Sequence, residues 1–180
     1  MKRIIPTLLA GAALLAGCAT TSVGSSSAPS NAIAVTVGSC HAGSDHGQPL
    51  PDPRCTPGAV NPAVTQANIA TTICRRGWTK TVRPPQSYTE TLKRQQITQY
   101  GYSDKRMGSY EEDHLVSLEL GGAPSDPANL WPEPGASPNP KDAVEGALNR
   151  AICSHRVTLA AAQQAIASDW TTAEARLGIG

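Results

Sequence analysis

The chain has 180 residues, with 15 Lys and Arg against 14 Asp and Glu and a formal net charge of +1. With Lys2 and Arg3 set aside, 13 basic residues face 14 acidic ones, which excludes a protein drawn onto polyanions by its overall charge. The length suffices for one domain plus a tether.

Lys2 and Arg3 form a basic start, followed by an apolar stretch over residues 4–16 that is too short to span a bilayer comfortably. This is the pattern of a bacterial export signal. It ends in Leu15-Ala16-Gly17-Cys18, which resembles a lipobox. The resemblance implies that Cys18 is lipidated and becomes the mature N-terminus, which makes the membrane a partner through the N-terminal lipid. Localisation would then be the cell envelope, at the outer membrane in a host that has one, since Ala19 rather than Asp follows the cysteine. Residues 1–17 are thus expected to be a signal peptide.

Residues 18–48 are rich in Ser, Thr, Ala and Gly and read as a flexible tether, with a short strand expected over 32–37. Cys40, His41 and His46 are not read as a metal cluster, because an exported cysteine is better explained by oxidation. The domain is expected over residues 49–180. Prolines 49, 51, 53, 57 and 62 exclude a helix and predict a surface-wrapping segment. Thr65 predicts an N-cap for a short helix through about Ile73. Ser87-Tyr88-Thr89-Glu90 has the form of a capping box, with Tyr88, Leu92 and Ile97 as its apolar stripe, Lys93 and Arg94 projecting away, and Gly101 as the stop.

Beyond residue 110, the apolar residues Leu115, Val116, Leu118 and Leu120 predict a strand, or a strand pair interrupted near Ser117. Gly121-Gly122, Pro124 and Asp126-Pro127 predict a turn region. Asn129-Leu130-Trp131 predicts a second short strand, stopped by Pro132 and Pro134. Val144, Ala147, Leu148, Ala151 and Ile152 recur at helical spacing, so a helix is expected over about 141–153. A last helix over about 159–170 carries Leu159, Ala162, Ile166 and Trp170, with Thr158 as its cap.

Four cysteines remain beyond Cys18: Cys40, Cys55, Cys74 and Cys153. An even count in an exported chain predicts two disulfides, with three possible connectivities. Cys40–Cys55 together with Cys74–Cys153 is favoured, the first stapling the proline-rich segment and the second closing a long loop. Charge is segregated: basic residues dominate 75–106 and acidic ones dominate 111–145. Either the basic segment meets phosphates and the acidic one a metal, or the two face each other and water.

The order Asp113-His114, Gly121-Gly122, Asn129-Leu130 and a helix opening at Lys141 resembles the HNH endonuclease motif of the ββα-metal fold. The resemblance covers residues 110–153; more broadly, 82–170 resembles small exported bacterial proteins described as HNH-like. It implies an α+β fold with a small ββα-metal (HNH-like) core, additional helices and disulfide staples. It also implies a function: a membrane-tethered endonuclease dependent on a divalent metal, Mg²⁺ with Mn²⁺ or Zn²⁺ as alternatives, acting on phosphodiester bonds of DNA or RNA.

The implied roles are specific. His114 is the general base and Asn129 orients the loop that carries it. Asp113 and Asn139 are metal ligands, with Glu112 or Glu145 assisting. Lys141 and Arg94 contact phosphate. The chain departs from the pattern in having no paired-cysteine zinc clamp, and in placing Asn139 between Pro138 and Pro140. A non-catalytic envelope lipoprotein, using the same fold as a binding or structural module, is the rival reading. Ser109, Ser117 and Ser125 lie near His114 in sequence, but none sits in a nucleophile elbow, which disfavours a Ser-His-Asp hydrolase. No protein partner is inferable.

Overall fold

A computed structural model describes residues 36–135 and 137–180. Cys18 and the lipobox lie outside the described residues, as does most of the strand expected over 32–37. The chain mixes short helices with two small antiparallel sheets and carries two disulfides, Cys40–Cys55 and Cys74–Cys153, which is the favoured connectivity. The second spans 79 residues of sequence. A closure of that length removes unfolded-chain entropy on the order of 4 kcal/mol. No helix among the described residues is long and apolar enough to cross a membrane.

The ordered domain begins before Pro49, contrary to the expected tether boundary. Gly38 N–H donates to Thr98 O and Cys40 N–H to Gln99 O, and Cys40 is fully buried. Strands β1 (Gly43–Asp45) and β2 (Gln48–Leu50) then form a hairpin. Its two turn residues, His46 and Gly47, both have positive φ, the conformation that matches the twist of paired strands. The proline-rich segment does more than wrap the surface. Pro51 and Asp52 are buried, and the Asp52 carboxylate accepts from the His41 N–H and from Arg54.

Thr65 caps a 3-10 helix, Gln66–Thr71, as expected. Helix α1 (Trp78–Val82) was not anticipated. Helix α2 (Gln86–Gln99) starts one residue before the expected cap, and the Ser87–Glu90 box does not form; instead Gln86 donates to Glu90 within the first turn. Pro85 already sets the helical entry there, which leaves Ser87 inside the helix. Lys93 does not project away, since its ammonium donates to Tyr110 O.

Strand β3 (Tyr110–His114) pairs with β4 (Leu130–Pro134) in antiparallel register: Glu111 opposite Glu133, Glu112 opposite Pro132, Asp113 opposite Trp131 and His114 opposite Leu130. Here two expectations fail. Leu118–Leu120 is a 3-10 helix rather than strand. The strand also runs through Pro132 and ends at Pro134, instead of stopping after Trp131. Two residues apart, both prolines turn the side lacking an N–H the same way, so a two-stranded sheet tolerates them.

Helix α3 (Pro140–Cys153) follows, then α4 (Leu159–Ser168), whose Thr158 cap accepts from Ala161 N–H. Helix α4 stops short of Trp170, and a short α5 (Ala173–Leu177) closes the chain. Leu148 and Ile152 of α3 pack with Val116, Leu120, Ile69, Ile166 and Trp170 in the main core. A smaller cluster of Cys40, Tyr100, Leu115 and Trp131 lies behind the sheet. Strand, strand and helix thus follow one another over 110–153, with the loop 115–129 between the strands.

Candidate functional site

The loop after β3 is built around Asn129, which is fully buried. Its Oδ1 accepts from Val116 N–H at 2.9 Å, and its Nδ2 donates to Val116 O at 2.9 Å and Ala123 O at 3.1 Å. Gly121 has φ +76, and a Cβ on Gly122 would lie 1.7 Å from Val116 O. The first glycine is therefore needed for its backbone angle and the second for space. Together they fold residues 116–123 back so that Pro124 O comes within 2.9 Å of His114 Nε2. Asn129 thus ties together the two limbs of the loop that follows His114.

A carbonyl oxygen only accepts, so Nε2 carries the ring proton and Nδ1 keeps its lone pair. His114 is buried, and burial holds its pKa below the usual histidine value; the Pro124 contact and Asp113 pull the other way, and Arg83 and Lys141 add to the lowering. The ring is therefore neutral near neutral pH, with an unused basic nitrogen.

Alternation along β3 separates its acidic residues. Glu112 and His114, two apart, line one cavity of about 350 Å³ with Arg83, Pro84, Gln86 and Thr89 from the α1–α2 corner. Both Glu112 carboxyl oxygens are buried with no hydrogen-bond partner among the described residues. Burial pushes the pKa of this group up to about 8, against a smaller opposing pull from Lys93. A neutral imidazole and a protonated carboxylic acid thus share one cleft, the pairing from which one group takes a proton and the other gives one. Arg83 is exposed and forms no ion pair among the described residues, leaving its guanidinium free for an anion at this cavity.

Glu111 and Asp113 turn the other way, towards α3. Asp113 Oδ2 accepts from Trp131 Nε1 at 3.1 Å and pairs with Lys141 Nζ at 2.9 Å. Lys141 has no exposed surface, and its ammonium spends all three donors, on Asp113, on Glu145 and on His114 O at 2.9 Å. Burial alone would lower its pKa, but the charges of Asp113 and Glu145 overturn that and hold the lysine charged. The expected phosphate contact from Lys141 is therefore not available. Arg94, the other expected phosphate contact, lies exposed on α2 and does not line the cavity.

Asn139 is a helix cap. Its Oδ1 accepts from Lys141 N–H and its backbone N–H donates to Asp142, while its Nδ2 donates to Glu111 at 3.0 Å and Glu133 at 3.3 Å. The Pro-Asn-Pro setting that looked unsuited to a ligand suits an N-cap followed by proline. Glu133 is buried with a pKa pushed up to about 8, first by desolvation and then by the Asp113 charge.

These contacts decide how well a divalent cation fits. Asp113 and Asn139 were the expected ligands, yet one carboxylate oxygen already takes two N–H donors and the amide oxygen is spent on the α3 backbone. No group of three or more His, Cys, Asp or Glu side chains among the described residues is arranged to hold a metal. The expected donor set does not fit.

Arg83 and the free state of Glu112 were missed in sequence. The i, i+2 relation to His114 was a signal for Glu112, and the i, i+4 spacing of Lys141 and Glu145 was one for the buried pair. Nothing local marks Arg83, which reaches the site only through the α1–α2 corner. No protein-family model, curated protein or solved structure matches this chain.

Proposed function

We propose that this protein is an HNH-like endonuclease, tethered to the cell envelope through Cys18, that hydrolyses phosphodiester bonds of DNA or RNA. One observation carries the reading: His114 ends a strand with Nε2 fixed on Pro124 O, and its basic Nδ1 belongs to a ring lining a cleft with Arg83 and Glu112. His114 Nδ1 takes a proton from water as the water oxygen bonds to phosphorus. Arg83 pairs with the non-bridging oxygens. The bond to the leaving oxygen breaks, and Glu112, protonated beforehand, gives that oxygen its proton. The order of β3, β4 and α3, and the fixing of the His114 loop by Asn129, support the HNH-like description. The Leu15-Ala16-Gly17-Cys18 motif supports the lipid anchor.

The full-length protein in detergent should nick plasmid DNA or degrade RNA. His114→Ala should slow this by roughly 10²- to 10⁴-fold in the fraction that stays folded. A wild-type protein that cleaves neither nucleic acid, with chelator or with any divalent metal, would sink the reading. In that case the rival gains, a non-catalytic binding module favoured by the complete internal pairing of Lys141.

A further inference from the structure

The Lys141 ammonium sits where strand and helix bring their acidic residues together. Asp113 arrives from the end of β3, and Glu145 arrives from α3 one turn beyond Lys141 itself. The third contact is the backbone oxygen of His114, so the positive charge lies directly against the peptide that carries the imidazole. Three oxygens converging on one compact cation form half of the six-oxygen shell that Mg²⁺ would take, and here a side chain of the same polypeptide supplies the cation. Asp113 Oδ2 is doubly occupied and the lysine has no exposed surface through which water could replace it. A divalent ion entering beside Asp113 would meet this ammonium at contact distance.

We infer that Lys141 is a built-in replacement for the divalent cation of this strand–helix site, so that Asp113 and Glu145 are neutralised from within the chain and no metal binds between them. The inference deepens the hydrolytic reading, because chemistry at His114 then needs no divalent metal. That second half rests on the proposed function; the first half does not.

Three measurements on the full-length protein test it. Mn²⁺ titration followed by electron paramagnetic resonance should show no saturable site in the wild type. One bound Mn²⁺ per chain, lost on Asp113→Asn, would overturn the inference. The Lys141 ammonium should give a ¹⁵N-detected proton signal protected from exchange and unaltered by Mg²⁺. An averaged, solvent-like signal, or one displaced by Mg²⁺, would also overturn it. Removing the ammonium should open the position: Lys141→Ala should gain Mn²⁺ affinity by at least about tenfold, seen as a melting temperature that Mn²⁺ raises. A folded variant that gains none counts against the inference; if this variant does not fold, the ammonium signal of the wild type still decides. Nuclease assays separate the two proposals. Cleavage in chelator supports both, whereas cleavage only with added Mg²⁺ keeps the nuclease and overturns the metal-independent half of the inference, the Mn²⁺ titration deciding the other half. No cleavage under any condition, with no Mn²⁺ site and a protected ammonium, discards the nuclease and keeps the built-in cation.

Discussion

On the side of β3 that faces α3, Glu111 and Asp113 end in hydrogen bonds to Asn139, Trp131 and Lys141; on the other side Glu112 has no partner and His114 has one. Neighbouring carboxylates on one strand thus live in opposite conditions. The α3 side is electrostatically closed, with each donor of Lys141 matched to an oxygen. Among the described residues, the cleft side retains a lone pair on His114, two orphan oxygens on Glu112 and an unpaired guanidinium on Arg83. Buried polar groups without partners are costly and uncommon, so the side that carries them is where a ligand is to be sought. In the proposed function the closed side holds the strand still and the open side is the one offered to the nucleic acid.

Three changes bear on that contrast. The largest effect is expected from Lys141→Met, which leaves two carboxylates buried and unpaired and should cost about 3–5 kcal/mol in urea unfolding. Adding Asp113→Asn and Glu145→Gln should recover most of the loss; a triple variant as unstable as the single one would show that packing of the stem, not charge, holds this side together. Asn129→Ala comes next. It strands the buried Val116 N–H and two carbonyls and should cost about 3 kcal/mol, with activity falling in the folded fraction as the His114 loop loosens. An unchanged melting temperature would mean the loop is held by something else.

Glu112→Gln is the mildest. The folded pKa of Glu112, about 8, lies above its ordinary value, so the group's contribution to stability is complete below the ordinary range and is lost as pH rises through about 8. The glutamine variant should therefore flatten the decline in stability between about pH 4.5 and about pH 8. Glu133 shifts in the same direction, so part of the slope should remain. The same substitution should remove the alkaline limb of the pH–rate profile while leaving the acid limb set by His114. A profile with both limbs intact would exclude Glu112 as the proton donor.

How much of this was legible in sequence differed by element. Helices α3 and α4 were readable because apolar residues recur at helical spacing, and Thr158 caps α4 as Thr65 caps the 3-10 helix. The disulfide pairing was one of three the sequence left open, and the favoured one formed. Leu118–Leu120 was misread because a run of apolar residues looks the same in a buried 3-10 turn as in a strand, and β4 was cut short because Pro132 and Pro134 are penalised unless strand pairing is known. In the candidate site, order and spacing singled out His114 and Asn129, which lie at the two ends of one loop. Asp113, Asn139 and Lys141 were placed near the right point but given the wrong work: a sequence shows which oxygens and cations converge, but not that a lysine from the next helix reaches the carboxylate first.

The Cys40–Cys55 bridge has a mechanical consequence. The hairpin β1–β2 lies entirely inside the 15-residue span that this disulfide closes, and the chain enters the domain at Gly38 and Cys40. Tension applied from the N-terminal end would cross from Cys40 to Cys55 through the sulfur–sulfur bond and bypass the hairpin. The hairpin would then carry no load, and force would pass straight into the segment that Thr56 ties to Tyr100.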